Sequence, residues 1–525
     1  MSDALSRTAR TTKHVVETEF GVVASQHRLA AEAGAEILRA GGDVVDAAVA
    51  CSFVVGVLEP WMSGPAGGGA AVHWRAATGE ATAINFGMRS PKGLDIGHYP
   101  LSGEGKAADL FPWERVVDDR NVEGASAIAV PGTVDGLGQA HDRWGRMPWS
   151  DLLQPAIAHA REGMLVDWYA ALMIASTARE LSRDPDAAAM FLDDGTWPKG
   201  SGWTAIPENR LDQSRLAQSL EIIARGGPRA FHEGDLAQAL AADVQAKGGS
   251  LSAADLAGYR AWTGPARRVP YRDAAFHVMP GLTAGPTFAR AMEDLASRDL
   301  STGPDAYAAY ADALRRAYAE RLGTMGDTGE VPEAPGCTTH FSAVDREGNM
   351  VAHTQTLLSI FGSRVVSPST GFLMNNGIMW FDPEQGKPNS LGPDKACLMN
   401  VCPVVGETPD TRFALGASGG RKIVGAVTQL SSFIVDGGMS LEGAFHAPRI
   451  DVSGGAGVIA DDTLPRDVFD RLARDAALQT TRRTVLPYAF ACPAGVARRN
   501  GRNAGCTEIM SPWGDAVLEQ PEEQQ

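Results

Sequence analysis

Cys337-Thr338-Thr339-His340-Phe341-Ser342-Ala343-Val344-Asp345 runs into Arg346-Glu347-Gly348-Asn349, and this stretch decides the fold. Apolar and polar residues alternate up to a charged Gly-Asn turn, which reads as the first arm of a β-hairpin. Met350 to Leu357 supplies the second arm. A Thr at the start of such a strand becomes a nucleophile if the chain is cut just before it. The cut frees an α-amino group whose pKa is about 7.7–8.0. That amine then acts as base for its own hydroxyl. The same residues also suit an ordinary hairpin with Thr on its solvent face, and nothing within the stretch decides between the two.

The chain around this hairpin has 525 residues, enough for a large core, and length alone suggests about three domains of typical size. Its net charge of −16 argues against nucleic acid or an anionic membrane as partner. Met1 to Phe20 is polar, with no apolar region of a secretory signal, and no apolar run is long enough to span a bilayer. Six cysteines lack paired metal spacing, which fits reduced thiols and a cytoplasmic location.

Strand signals flank a helical middle. His27 to Val57 reads as two helices broken at Gly41-Gly42, with Asp43 capping the second and Glu59-Pro60 ending it. Predicted strands follow at 70–75 and 80–86. Trp149 to about Leu322 reads as mostly helical. Beyond the hairpin come a strand at 412–415 and a helix at 421–435, and the acidic tail 518–525 reads as disordered. Strands at both ends with helices between predict one α/β body, two antiparallel sheets stacked face to face, and a middle segment decorating one side.

Gly416-Ala417-Ser418-Gly419-Gly420 matches the nucleophile elbow of a serine hydrolase, between a strand and a helix. That reading needs an acid and a His downstream, and His446 is the one His that follows. Consecutive glycines serve better as N–H donors to a developing oxyanion. Gly64 to Gly69 lacks the spacing of a phosphate loop and reads as a tight turn for close packing. His340 and His353 are too isolated to suggest a metal.

Several segments together resemble the γ-glutamyltransferase superfamily. They are Val23-Ala24-Ser25-Gln26-His27-Arg28-Leu29-Ala30, Gly34 to Leu38, Gly41 to Ala48, Val130 to Val134, Leu152 to Ile157, Thr338 to Ser342 and Gly419-Gly420. The resemblance implies an αββα sandwich of the N-terminal-nucleophile hydrolase type. It implies self-cleavage between Cys337 and Thr338 into a large subunit, 1–337, and a small one, 338–525. These would stay together as a heterodimer, or as a dimer of such heterodimers. Thr338 is then the nucleophile, Thr356 its hydrogen-bonding partner and aid to maturation, and Gly419 and Gly420 the oxyanion hole. The implied substrate is a small-molecule amide, with acyl transfer as a side activity and no metal or organic cofactor.

The chain departs from the family's γ-glutamyl pattern. Gly87 stands where glutamate-binding members have Arg, and Leu358 where they have Asn. Gly377 and Trp380 replace a Gln and an Asp, and Met399-Asn400 replaces a Ser-Ser pair. A zwitterionic glutamyl group in such a pocket would lose several kcal/mol to desolvation. Phe381 to Leu398 is shorter than the family's lid-bearing loop, so the site is expected to be more open. Arg89 lies two residues past the family's Arg, about 6.6–6.8 Å further along a predicted strand and on the same face. There it would grip an acidic acyl end, or else form a surface ion pair. These departures predict an oxamate amidohydrolase or an acylase. The alternatives are a glutathione hydrolase or γ-glutamyltransferase, and an unprocessed scaffold without activity.

Overall fold

Along each strand, residues of alternate parity go to different layers, and this alternation builds the molecule. Val22 and Ala24 pack between two sheets, while Val23 packs under helices. Ala70 and Val72 face the other sheet and Ala71 faces helices. On the second sheet Ala414 faces inward, and Phe413 and Leu415 face outward. Helices therefore cover both outer faces, and the architecture is the αββα sandwich that the sequence predicts. The computed structural model describes residues 11–106, 113–202, 204, 206, 208–300, 303–325, 337–453 and 457–519.

The first sheet runs Trp262–Pro265, Glu80–Asn85, Gly68–Arg75, Met350–Leu358, Cys337–Val344, Val22–Ser25, Asp515–Leu518. The second runs Val16–Thr18, Arg502–Thr507, Cys492–Arg499, Thr411–Ser418, Val404–Glu407, Ala274–Val278, Arg267–Tyr271. Neighbouring strands are antiparallel in both. Small residues let the sheets come close. A Cβ at Gly416 would collide with the His340 ring, so the strands carrying them touch across the interface.

Helix Val44–Leu58 is buried along all 15 residues. Asp43 starts it with a capping box: its carboxylate accepts from Val45 N at 3.0 Å, and Asp46 accepts from Asp43 N at 2.8 Å. Gly285–Leu295, Pro304–Thr324 and Lys422–Val435 cover the second sheet. Among the described residues no helix is long and apolar enough to cross a membrane.

Two expectations need correction. The middle segment does not merely decorate one side, because Trp262–Pro265 extends the first sheet and Arg267–Tyr271 and Ala274–Val278 extend the second, each at an edge. Pro265 and Pro270 fit such places, where a missing N–H is tolerated, and they hid the strand signal. The tail is ordered at its start. Leu518 ends an edge strand, and the buried Glu519 carboxylate accepts from Gly21 N at 2.7 Å and pairs with Arg346. The rest of the tail lies outside the described residues.

Candidate active site

Thr338 is buried near the start of the Cys337–Val344 strand, in the middle of the first sheet. The ladder to Met350–Leu358 is irregular there: Cys337 pairs with Leu358 and Thr339 with Gln355, with a register shift between. Strand parity puts Thr338 and Thr356 on the inter-sheet face with His340, and Thr339 on the helix face with Phe341. Thr356 Oγ1 accepts from Leu358 N at 2.8 Å. Leu358 holds φ +88°, a left-handed conformation that costs a non-glycine residue about 1–3 kcal/mol. That strained residue lies opposite Cys337 in the ladder.

The glycines of 64–69 work as packing residues. Cβ atoms at Gly67 and Gly69 would strike the carbonyls of Thr356 and Thr354, so the Gly68–Arg75 strand and its loop press directly on the hairpin. His340 bonds Thr354 Oγ1 at 2.8 Å and Ser342 Oγ at 2.9 Å, and His353 bonds Gln355 at 3.1 Å. Burial holds both imidazoles neutral, pushing His353 down to about 3. Among the described residues no group of three or more His, Cys, Asp or Glu is placed to hold a metal ion.

Gly419 and Gly420 follow the Thr411–Ser418 strand with φ +122° and +61°. Their carbonyls accept from Lys422 and Ile423 and open helix Lys422–Val435. Their own N–H groups have no acceptor among the described residues. Two free N–H groups at a helix start favour negative charge. Ser418 is buried and engaged: its Oγ accepts from Gln26 Nε2 at 2.8 Å and bonds the Tyr488 hydroxyl at 2.9 Å. His446 is tied to Lys13 N and the Glu442 carbonyl. The elbow therefore lacks its base, and Ser418 belongs to a side-chain chain. That chain runs from Glu59 through Thr339, Gln26 and Ser418 to Tyr488, joining the residues next to Thr338 and Gly419.

Leu358, Gly377, Trp380 and Met399 are buried in the inter-sheet cluster or against its members. A Cβ at Gly87 would stand 2.6 Å from the Met399 methyl, so Met399 fills the space beside it. Asn400 Oδ1 accepts from buried Arg321 at 3.1 Å, which turns its Nδ2 the other way. Among the described residues neither Asn400 Nδ2 nor Trp380 Nε1 has a partner. Arg89 corrects the strand expectation: Glu80–Asn85 ends before it, and its backbone bridges Val130 and Ala396 instead. Its guanidinium rests on the Asp394 carboxylate at 3.3 Å and on the Asp394 carbonyl, at the half-exposed rim.

The profile described as Gamma-glutamyltranspeptidase matches residues 30–335 and 330–487, two segments that meet just before Thr338. An "Acylase ACY 1 proenzyme" from Pseudomonas sp. (strain V22) is 34% identical over 86% of this chain and 86% of its own length. The chain belongs to the gamma-glutamyltranspeptidase family. A "Glutathione hydrolase proenzyme" of Escherichia coli (strain K12) is 30% identical over 83% of this chain and 81% of its own. A crystal structure of cephalosporin acylase from Bacillus halodurans aligns at TM-score 0.85 over 99% of each chain with 24% identity, which speaks for the fold.

Within the gamma-glutamyltranspeptidase family frame, three contributors went unread in the sequence. Glu59 reads in the sequence only as a helix end, although an acid closing a helix that is apolar beyond its Asp46 cap is the available signal. Gln26 sits inside a quoted segment with no periodic mark of its own. Arg321 is one of several charges on Pro304–Thr324, and only the fold reveals it as the buried one.

Proposed function

We propose that this chain is a self-cleaved N-terminal-threonine amidohydrolase acting on a small amide whose acyl group carries no α-ammonium. Cleavage between Cys337 and Thr338 gives fragments 1–337 and 338–525. Their association is supported by the sheets: Cys337–Val344 lies between Val22–Ser25 of one fragment and Met350–Leu358 of the other. Thr338 Oγ attacks the amide carbonyl while the Thr338 α-amine takes its proton. The N–H groups of Gly419 and Gly420 stabilise the tetrahedral oxyanion. The amine returns the proton to the leaving nitrogen, the C–N bond breaks, and water hydrolyses the acyl ester on Thr338. Thr356 orients the nucleophile.

The observation carrying this reading is the linked geometry at the sheet interface. Thr338 precedes Thr339, Gly419 follows Ser418, and Gln26 bonds both Thr339 and Ser418. The acyl preference rests on the wall. Leu358, Gly377, Trp380 and Met399 supply no charge for a glutamyl zwitterion, while Trp380 Nε1 and Asn400 Nδ2 are donors without an acceptor among the described residues. An acyl group with an uncharged or anionic acceptor oxygen suits them, as in an oxamate or acylase substrate. The similarity to an acylase supports this side of the family. An amide panel of oxamate, glutaryl amides, N-acyl amino acids and γ-glutamyl-p-nitroanilide tests the preference. Turnover is expected on the first three classes and weak turnover on the last, and robust γ-glutamyl turnover overturns the preference.

A further inference from the structure

We infer that Glu59 works as a protonated carboxylic acid that positions the strand bearing Thr338. Counting hydrogens gives the argument. Thr339 Oγ1 lies 2.9 Å from Glu59 Oε2 and 3.2 Å from Gln26 Oε1. The Gln26 amide cannot be turned over, because its Nε2 sits 2.5 Å from the Cys492 carbonyl, which only accepts. Gln26 Oε1 therefore faces Thr339 as an acceptor. One hydroxyl hydrogen then stands between two acceptors if Glu59 is ionised, and one contact has no hydrogen. A protonated Glu59 closes the chain. Its O–H donates to Thr339 Oγ1, and Thr339 donates to Gln26 Oε1. Gln26 donates to Ser418 Oγ and the Cys492 carbonyl, and Ser418 bonds Tyr488 at 2.9 Å.

The surroundings agree. Glu59 is 3% exposed, and burial pushes its carboxyl up to about 8, opposed only by the Thr339 hydroxyl. Among the described residues no cation acts on it. The titratable groups along the chain are the Cys492 thiol, which burial pushes up and keeps neutral, and the Tyr488 hydroxyl. Glu59 sits between the buried helix Val44–Leu58 and the glycine loop pressed on Thr356. Its carboxyl thus ties the helix layer to the residue covalently next to Thr338. Ionisation above neutrality removes the hydrogen that holds Thr339 and loosens the nucleophile against Gly419 and Gly420.

The effect on turnover rests on the proposed role of Thr338, whereas the protonation state does not. Infrared difference spectra of wild type and E59Q, and pH profiles of kcat/KM for wild type, E59Q and E59A, test both. Wild type should show the C=O stretch of a buried carboxylic acid at neutral pH, absent from E59Q. Gln donates an N–H where the acid donated an O–H. E59Q should therefore stay within about threefold of wild type near pH 7 and lose the alkaline fall near pH 8, while E59A drops about tenfold or more. Two results overturn the inference: a wild-type spectrum with no acid band, or E59Q falling as far as E59A at every pH. An uncut, inactive wild type that still shows the band would break the Thr338 reading and leave Glu59 as an acid.

Discussion

Between Glu59 and Tyr488 five side chains hand one hydrogen bond to the next, whereas at Trp380 and Asn400 buried N–H donors meet no acceptor among the described residues. Both regions flank the same strands. The first is closed on itself. The second holds Leu358, Gly377 and Met399 at places where the family resemblance implies polar partners. An unpaired buried donor costs about 1–3 kcal/mol, which a ligand recovers by supplying an acceptor. The contrast teaches that the first region is held by its own side chains, whereas the second leaves polar capacity that, on the proposed function, an acyl group would complete.

Thr338→Ala should break the comparison at its strongest point. We expect no self-cleavage and no turnover, whereas Ser418→Ala should cleave and keep activity within about tenfold, since it loses one link of a chain. The reverse result would make Ser418 the nucleophile. Gly419→Ala comes next. Its Cβ would sit 3.0 Å from Ala491 Cα and strain a φ of +122°. Displacing that N–H should cut kcat by about 10²–10³ with KM little changed, measured by steady-state kinetics.

Trp380→Phe sharpens the other side. It keeps the ring and removes the donor, so kcat/KM should fall about tenfold for acyl groups with a distal oxygen. Purely hydrocarbon acyl groups should be unaffected. Equal losses on both would show that Trp380 only packs. The smallest effect belongs to Arg89. Its pair with Asp394 is half-exposed, and such pairs contribute about 0–1 kcal/mol. Arg89→Ala should stay within about threefold of wild type in kcat/KM. A larger loss that Lys fails to restore would recruit Arg89 as a carboxylate fork.

The layers were legible because strand alternation and helix capping are local. The 337–344 arm, its turn, the Asp43 cap and the strand–glycine–helix order at 411–435 all sit where pattern puts them. Edge strands 262–278 were missed because two prolines and several arginines mask a short β signal. Within the site, Thr338 and the Gly419-Gly420 loop stand out as candidates from their strand and loop setting, while Thr356 comes only with the family resemblance. Glu59, Gln26 and Arg321 do not stand out, because their partners lie far along the chain: 280 residues for Glu59–Thr339, 392 for Gln26–Ser418 and 79 for Arg321–Asn400. Arg89 misled for the opposite reason. Its spacing fitted a strand that leaves the sheet at Phe86, and its partner Asp394 comes from a distant loop.

Intact-mass spectrometry of purified protein, beside Thr338→Ala, tests the central claim most directly. Two associated species, residues 1–337 and 338–525, are expected from wild type, and one uncut chain from the variant. A single uncut wild-type chain that nevertheless hydrolyses amides would contradict that claim.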